Sequence, residues 1–178
     1  MSDSYCAYCA TITDDHDVDK IYHDTQYGVA IYGDNELFCR LVMEINQAGL
    51  SWRTILVKEN NFRNAYHHFD IQKVACYEEE DITRLMNDVG IIRNRLKIAA
   101  AIYNAKQLLV IQKEYGSFRN WIDIHAKVIA QNKIEWVKLF KKHFKFVGGE
   151  IVGEFLMSIG MLPGSHGKEC RQYTIPRN

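Results

Sequence analysis

Two sets of residues in this chain have types and spacings that can do chemistry. Cys6 and Cys9 form a CxxC near one end, and His166 and Cys170 form an HxxxC near the other. Thiolate sulfur and imidazole nitrogen are the donors that tetrahedral zinc selects, and spacing alone proposes a three-cysteine, one-histidine site. His16 and His23 lie close enough to Cys6 in sequence to compete for a position, so four ligands must be chosen from six candidates. Four protein ligands leave no open position for water, so such an ion would be structural, clipping together two termini that otherwise fray. The five cysteines, Cys6, Cys9, Cys39, Cys76 and Cys170, are an odd set without a secretion signal, which argues against a disulfide framework.

The second set surrounds Glu44. It follows Leu41 by three residues and Leu37 by seven, which puts a carboxylate on or beside the apolar face of a helix. A buried carboxylate without a partner costs several kcal/mol, so it needs a partner or a purpose. Tyr22 and Trp52 are aromatics able to stack on a flat ring. Farther along, Leu85 to Arg93 reads as a helix, a glycine-bearing turn at Gly90 and Ile91, and a second helix whose N-terminal amides could hold a phosphate. Arg93, Arg95 and Lys97 add positive charge there.

Helices must position these groups. Leu37, Phe38, Leu41, Val42 and Ile45 predict a helix over 35–48 with Asp34 as its N-cap. Ile82, Leu85, Met86 and Val89 predict a second, opened by Glu78 to Asp81 and stopped by Gly90 as a C′ glycine. Ile98, Ala101, Ile102, Ala105, Leu108 and Leu109 predict the longest helix, from Arg93 to Tyr115 before Gly116. Shorter helices are expected near 52–67, 118–129, 133–143 and 150–159, and no segment alternates with a period of two. Proline occurs only at Pro163 and Pro176, which leaves most of the chain free of the strongest helix breaker. The expected class is all-α.

The 178 residues are enough for a single domain with a sizeable core, and 47% apolar with 25% charged residues is a folded, globular composition. No run approaches the ~20 apolar residues of a membrane span, so a cytoplasmic protein without membrane contact is expected. Zero net charge excludes a uniformly basic nucleic-acid binder, but the charge is polarised. Residues 1–36 hold eight acids and one base, whereas residues 91–145 hold twelve bases and three acids, a field that can face a phosphate backbone.

With these residues laid out, the chain resembles the 3-methyladenine DNA glycosylase I family of the helix-hairpin-helix glycosylase superfamily. The resemblance is carried by YHDTQYG at 22–28, LFCRLVMEINQAGLSWRTIL at 37–56, DVGIIRNRLKI at 88–98, KKHFKFVG at 141–148 and HGKEC at 166–170. It implies a helix-hairpin-helix glycosylase fold spanning 1–178. A helical core at 35–140 carries the hairpin near 85–98, and ends 1–30 and 145–178 form a zinc-stapled lobe. It implies that Glu44 recognises the damaged base, that Tyr22 and Trp52 stack on it, and that Tyr8 stands where the family usually has tryptophan. It further implies one structural zinc on Cys6, His23, His166 and Cys170. Gln47, Gly49 and Leu50 belong to the implied duplex wedge, and Gly90, Ile91, Arg93 and Lys97 to the implied phosphate clamp.

The activity so implied is base-excision repair of double-stranded DNA by a monofunctional, monomeric hydrolase, without strand cleavage. A non-catalytic, zinc-containing hairpin module is the alternative, told apart by whether free base is released. The sequence departs from the family pattern at Asp19 (usually aromatic), Gln26 (usually glutamate), Tyr27 (usually tryptophan) and Ala30 (usually proline).

Overall fold

A computed structural model describes residues 4–173; the outermost parts of the expected lobe, 1–3 and 174–178, lie outside the described residues. Among the described residues the chain is all-helical. The order is α1 (Tyr5–Ala10), α2 (Val18–Thr25), α3 (Asp34–Gln47), α4 (Trp52–Leu56), α5 (Glu59–Ala65), a 3₁₀ turn (His67–Phe69), α6 (Ile71–Ala75), α7 (Glu79–Asn87), α8 (Arg95–Tyr115), α9 (Phe118–Ile129), α10 (Lys133–His143) and α11 (Gly149–Ser158). None is long and apolar enough to cross a membrane.

Helix α3 is the axis of the molecule, packed by α4, α6, α8, α9 and α11. Every residue from Leu37 to Asn46 is buried, so this helix has no solvent face along that length. Glu44 therefore cannot snorkel to water from an amphipathic edge, as a boundary carboxylate would. Asp34 is the first residue of α3, not its cap; Gly33 holds the cap position without a side-chain bond. The Asp34 carboxylate instead accepts from the amides of Phe118 at 2.9 Å and Arg119 at 3.2 Å. An anion on the N-terminal amides of α9 satisfies orphan donors and fixes the angle between the two helices.

The expected helix over 52–67 is two helices, α4 and α5, separated by Val57 and Lys58. The amide of Lys58 bonds to Ile55 three residues back, which tightens the chain and ends the first helix. Its ammonium spans to the hairpin, donating to the carbonyls of Val89 and Gly90 at 3.2 Å each. Three consecutive residues, His67, His68 and Phe69, then take left-handed backbone angles. The fully buried Phe69 ring, stacked on Tyr66 at 5.4 Å, offsets that strain with apolar burial.

Helix α7 opens with the capping box Glu78/Asp81 and stops at Asn87. Gly90 is not a left-handed C′ residue: the cap is Asp88, and Gly90 lacks a positive φ. It is required for space, because a Cβ there would stand 2.9 Å from Asp88 Oδ1 and 3.1 Å from Asn61. The long helix begins two residues later than expected, at Arg95, because the Asn94 side chain caps it by accepting from the amides of Leu96 and Lys97. Gly116 ends it with φ 84°.

Candidate base cavity and metal centre

Below the C-terminal half of α3 lies a cavity of about 360 Å³ lined by Tyr5, Tyr22, Tyr27, Glu44, Gln47, Trp52, Glu150 and Glu154. Four aromatic rings and three carboxylates make its wall, and no basic side chain among the described residues lines it. Glu44 is 5% exposed and has no hydrogen-bond partner among the described residues. Burial pushes its carboxyl up to about 8, with the Arg40 charge opposing and Glu154 reinforcing. The Tyr22 hydroxyl, raised well above its ordinary value by burial, accepts from the Arg40 guanidinium. Arg40 also donates to Gln26 Oε1 at 3.3 Å and lies over the Tyr22 ring at 4.8 Å. A buried cation thus stands behind the ring, one helical turn before Glu44.

The rings of Tyr22 and Trp52 lie against each other, 5.2 Å between centroids and tilted by 59°. They form one angled wall, continued by Tyr27 at 5.6 Å from Tyr22, not two faces of a slot. Tyr8 does not line the cavity: it is 44% exposed and packs on Tyr5 at 6.3 Å. Tyr8 follows Tyr5 by three residues on α1, so the two share a helix face, and Tyr5 is the one in contact with Tyr22 and Tyr27. Asp19, buried at 2% exposure, fixes Tyr5 by accepting from its hydroxyl at 3.1 Å and is neutralised by Arg53 at 2.6 Å.

Gln47 joins the cavity to the exposed turn beyond α3. The amide of Leu50 donates to the Gln47 carbonyl at 2.7 Å, while Ala48 (φ −51°, ψ 113°) and Gly49 (φ 86°) have the angles of a type II turn. Gly49 is needed for that positive φ. Leu50 is left 38% exposed at the tip. Lys97 is not a free cation of the hairpin. It is 8% exposed and its ammonium donates to the carbonyls of Asn46 and Ala48, each at 3.0 Å, closing the end of α3 and bracing the turn. Ile91 is 3% exposed and belongs to the core, whereas Arg93 is exposed and has no ion pair among the described residues. Asn94 occupies two of the first-turn amides of α8, but those of Val89, Ile92 and Arg93 have no partner among the described residues.

The second site is at the chain ends. Ligand atoms of Cys6, His23, His166 and Cys170 all lie within 4.8 Å of one another. Cys170 Sγ is 3.5 Å from His23 Nε2 and 3.5 Å from His166 Nδ1, and Cys6 Sγ is 3.7 Å from His166 Nδ1. A tetrahedral ion with bonds of ~2.3 Å to sulfur and ~2.0 Å to nitrogen requires sulfur-to-nitrogen edges of about 3.6 Å, so the donor set fits. The opposite nitrogens are anchored: His23 Nδ1 donates to Asp24 Oδ1 at 2.8 Å and His166 Nε2 to the Tyr27 carbonyl at 2.8 Å. Both acceptors can only accept, which leaves the inward nitrogens unprotonated. Arg171 in turn pairs with Asp24. Cys9 is outside the set, its thiol directed at the Asp19 carbonyl at 3.7 Å, and His16 is exposed.

Sequence reasoning overlooked Tyr5, Arg40, Glu150 and Glu154. Glu154 had the same signal as Glu44, an acid set among apolar residues of one helix, Val152, Phe155 and Leu156.

A family model described as methyladenine glycosylase matches residues 12–173. The chain is 35% identical over 158 residues to DNA-3-methyladenine glycosylase 1 of Escherichia coli (strain K12), covering 79% of this chain and 84% of that protein. It is 33% identical over 165 residues to DNA-3-methyladenine glycosylase of Haemophilus influenzae (strain ATCC 51907 / DSM 11121 / KW20 / Rd), covering 84% of this chain and 89% of that protein. The fold superposes on 3-methyladenine DNA glycosylase I from Staphylococcus aureus with a TM-score of 0.82 at 30% identity, over 96% of this chain and 97% of that one; that structure concerns 3-methyladenine recognition. The chain belongs to the methyladenine glycosylase family.

Proposed function

We propose that this chain performs the family's reaction in its own cavity, hydrolysing the N-glycosidic bond of 3-methyladenine in duplex DNA, with Glu44 as the group that recognises the flipped base. The observation that carries the reading is a buried carboxylate without a partner, set in an aromatic cavity whose rim runs through Gln47 into an exposed turn.

Alkylation of adenine at N3 makes the purine cationic and a good leaving group. As the bond to the sugar breaks, its electron pair returns to the base, the base becomes neutral, and water adds to the sugar carbon with loss of a proton to solvent. The protein's work is therefore selection and exposure of the nucleotide. The wall of Tyr22, Trp52 and Tyr27 offers π faces to a cationic ring, and Glu44 accepts from its exocyclic amine. Neutral adenine lacks the charge that offsets burial of the carboxylate. No lysine lines the cavity, which supports hydrolysis without a covalent base-displacing step or strand cleavage.

The Gln47 to Leu50 turn is the element that enters the duplex, and Arg93 with the partnerless amides of the 89–93 loop holds phosphates. Cys6, His23, His166 and Cys170 would hold one structural zinc. That ion would fix α1 and α2, which bring Tyr5 and Tyr22 to the cavity, together with Tyr27. The reading has the protein acting as a cytoplasmic monomer on alkylated double-stranded DNA.

Release of free 3-methyladenine from methylated duplex DNA tests this. Glu44→Gln, folded and metal-loaded, is expected to release base on the order of 100-fold more slowly than the native protein. Undiminished release by the variant would remove Glu44 from the mechanism. No release by the native protein would favour the non-catalytic DNA-binding module.

A further inference from the structure

Glu154 is one of two acids of the cavity, with Glu150, that the reaction above does not use. It stands on α11, which packs against α3; it lines the cavity together with Glu44 and is half-buried. Its only hydrogen bond among the described residues is to Tyr27, whose hydroxyl donates to Glu154 Oε2 at 3.3 Å. Glu150, one turn earlier, also lines the cavity, but it is exposed at the rim and paired with Lys133 at 3.3 Å. Among the described residues no positive charge lines the cavity: Arg40 donates to the Tyr22 hydroxyl, Arg53 is taken by Asp17 and Asp19, and Lys133 is paired with Glu150 and offsets only part of the rise of Glu154. Inside, Glu44 and Glu154 face a common space that no basic side chain among the described residues lines.

We propose that Glu154 is a specificity-determining residue, a second carboxylate that makes this cavity select a purine cation over a neutral purine of the same shape. This deepens the base-cavity reading and rests on it. Two partly desolvated carboxylates repel each other, and burial disfavours the charged form of both. Accordingly, Glu154 is raised by burial, and Glu44 is raised by burial and by the charge of Glu154. A delocalised cation entering between them relieves that repulsion, while a neutral ring excludes water and returns nothing for the charge. One acid alone supplies an acceptor for an amine, which neutral adenine also offers. The second acid adds discrimination by charge.

Glu154→Gln separates this role from mere support of Tyr27, because the amide oxygen still accepts from the Tyr27 hydroxyl while the charge is gone. Tyr27→Phe does the converse. Binding of two probes, the fixed-charge 3,9-dimethyladeninium ion and neutral 3-methyladenine, would be measured at pH 8.5 by calorimetry on native and variant proteins with matching thermal transitions. Glu154→Gln is expected to weaken the cation about tenfold and the neutral base less than twofold, so that the affinity ratio falls about tenfold. Tyr27→Phe is expected to leave the ratio unchanged. An unchanged ratio in Glu154→Gln overturns the inference while the base cavity stands. Failure of the native protein to bind either probe overturns the cavity reading and this inference with it.

Discussion

The cavity and the terminal cysteine–histidine cluster are both polar sites enclosed by one helical fold, and they treat their polar atoms in opposite ways. In the cluster each histidine has its outer nitrogen bonded to a fixed acceptor, Asp24 or the Tyr27 carbonyl, so the inner donors are aimed before any ion arrives. In the cavity Glu44 is buried with no hydrogen-bond partner among the described residues, and its carboxyl is pushed up to about 8. Buried polar groups are nearly always paired, and an orphan costs of order 1 to 3 kcal/mol or more when charged. A site that supports its donors from behind suits a resident; a site that leaves an acid bare suits a visitor that leaves again. The two are also coupled, since Tyr27 gives its carbonyl to His166 and its ring and hydroxyl to the cavity.

The largest effect that would sharpen this contrast is loss of the ion proposed for the cluster. Cys170→Ser is expected to lower bound zinc below one equivalent per chain and to drop the melting temperature by on the order of 10 °C. Base binding should weaken too, although none of the four cluster residues lines the cavity, because α1 and α2 would no longer hold Tyr5 and Tyr22 in place. Gly28 tests the same junction from the backbone: its φ is 77°, and a Cβ would stand 2.5 Å from Ser165 Oγ beside His166. Metal analysis together with thermal melts decides the matter. An unchanged metal content and melting temperature would show that the cluster is not a metal centre.

Much of this was legible in the sequence, and the errors have physical causes. The apolar periodicity located α3, α7 and α8 because long helices leave a strong pattern, and the segments at 118–129, 133–143 and 150–159 fall on α9, α10 and α11. The short helices α1, α2 and α6 were not foreseen; they contain 6, 8 and 5 residues, too few turns for a pattern to emerge. CxxC spacing put both Cys6 and Cys9 in the set, but the cluster is made by Cys6 with His23 while the Cys9 thiol turns to the Asp19 carbonyl, a choice set by a segment 160 residues away. Lys97 looked like a phosphate contact from its neighbours Arg93 and Arg95, and its inward direction is set by the position of Asn46 and Ala48, 51 and 49 residues away. Charge in a sequence says that a cation exists and not which way it points.

A smaller effect follows from the bare acid. Glu44 titrates near 8 in the folded protein against an ordinary 4.5, so between those values the native state holds a proton that the unfolded chain has lost. Stability must then fall as pH rises through that window, the reverse of a salt-bridged carboxylate. Glu44→Gln removes the term. The variant should gain about 2 to 4 kcal/mol over the native protein at pH 9 and nothing at pH 4, measured by denaturant unfolding at both values. A gap that is the same at both ends would mean that Glu44 is ionised in the empty cavity, and the contrast between the two sites would lose its energetic basis.

The smallest effect separates two cations of the hairpin. Lys97 donates both of its observed bonds to carbonyls at the end of α3, and burial lowers its pKa, so its charge is spent inside the protein. Lys97→Met leaves the Asn46 and Ala48 carbonyls without that donor and loosens the turn that presents Leu50. A loss of about 1 to 2 kcal/mol in stability is expected, with weaker base release from duplex DNA. Binding of free 3-methyladenine should be unchanged, because Lys97 does not line the cavity. Arg93 is exposed and unpaired among the described residues, so Arg93→Ala should instead leave stability within about 0.5 kcal/mol and lower the salt slope of duplex binding by about 1. If Lys97→Met shows the altered salt slope and Arg93→Ala does not, the two side chains have exchanged the roles assigned here, and the turn is held by something other than the hairpin.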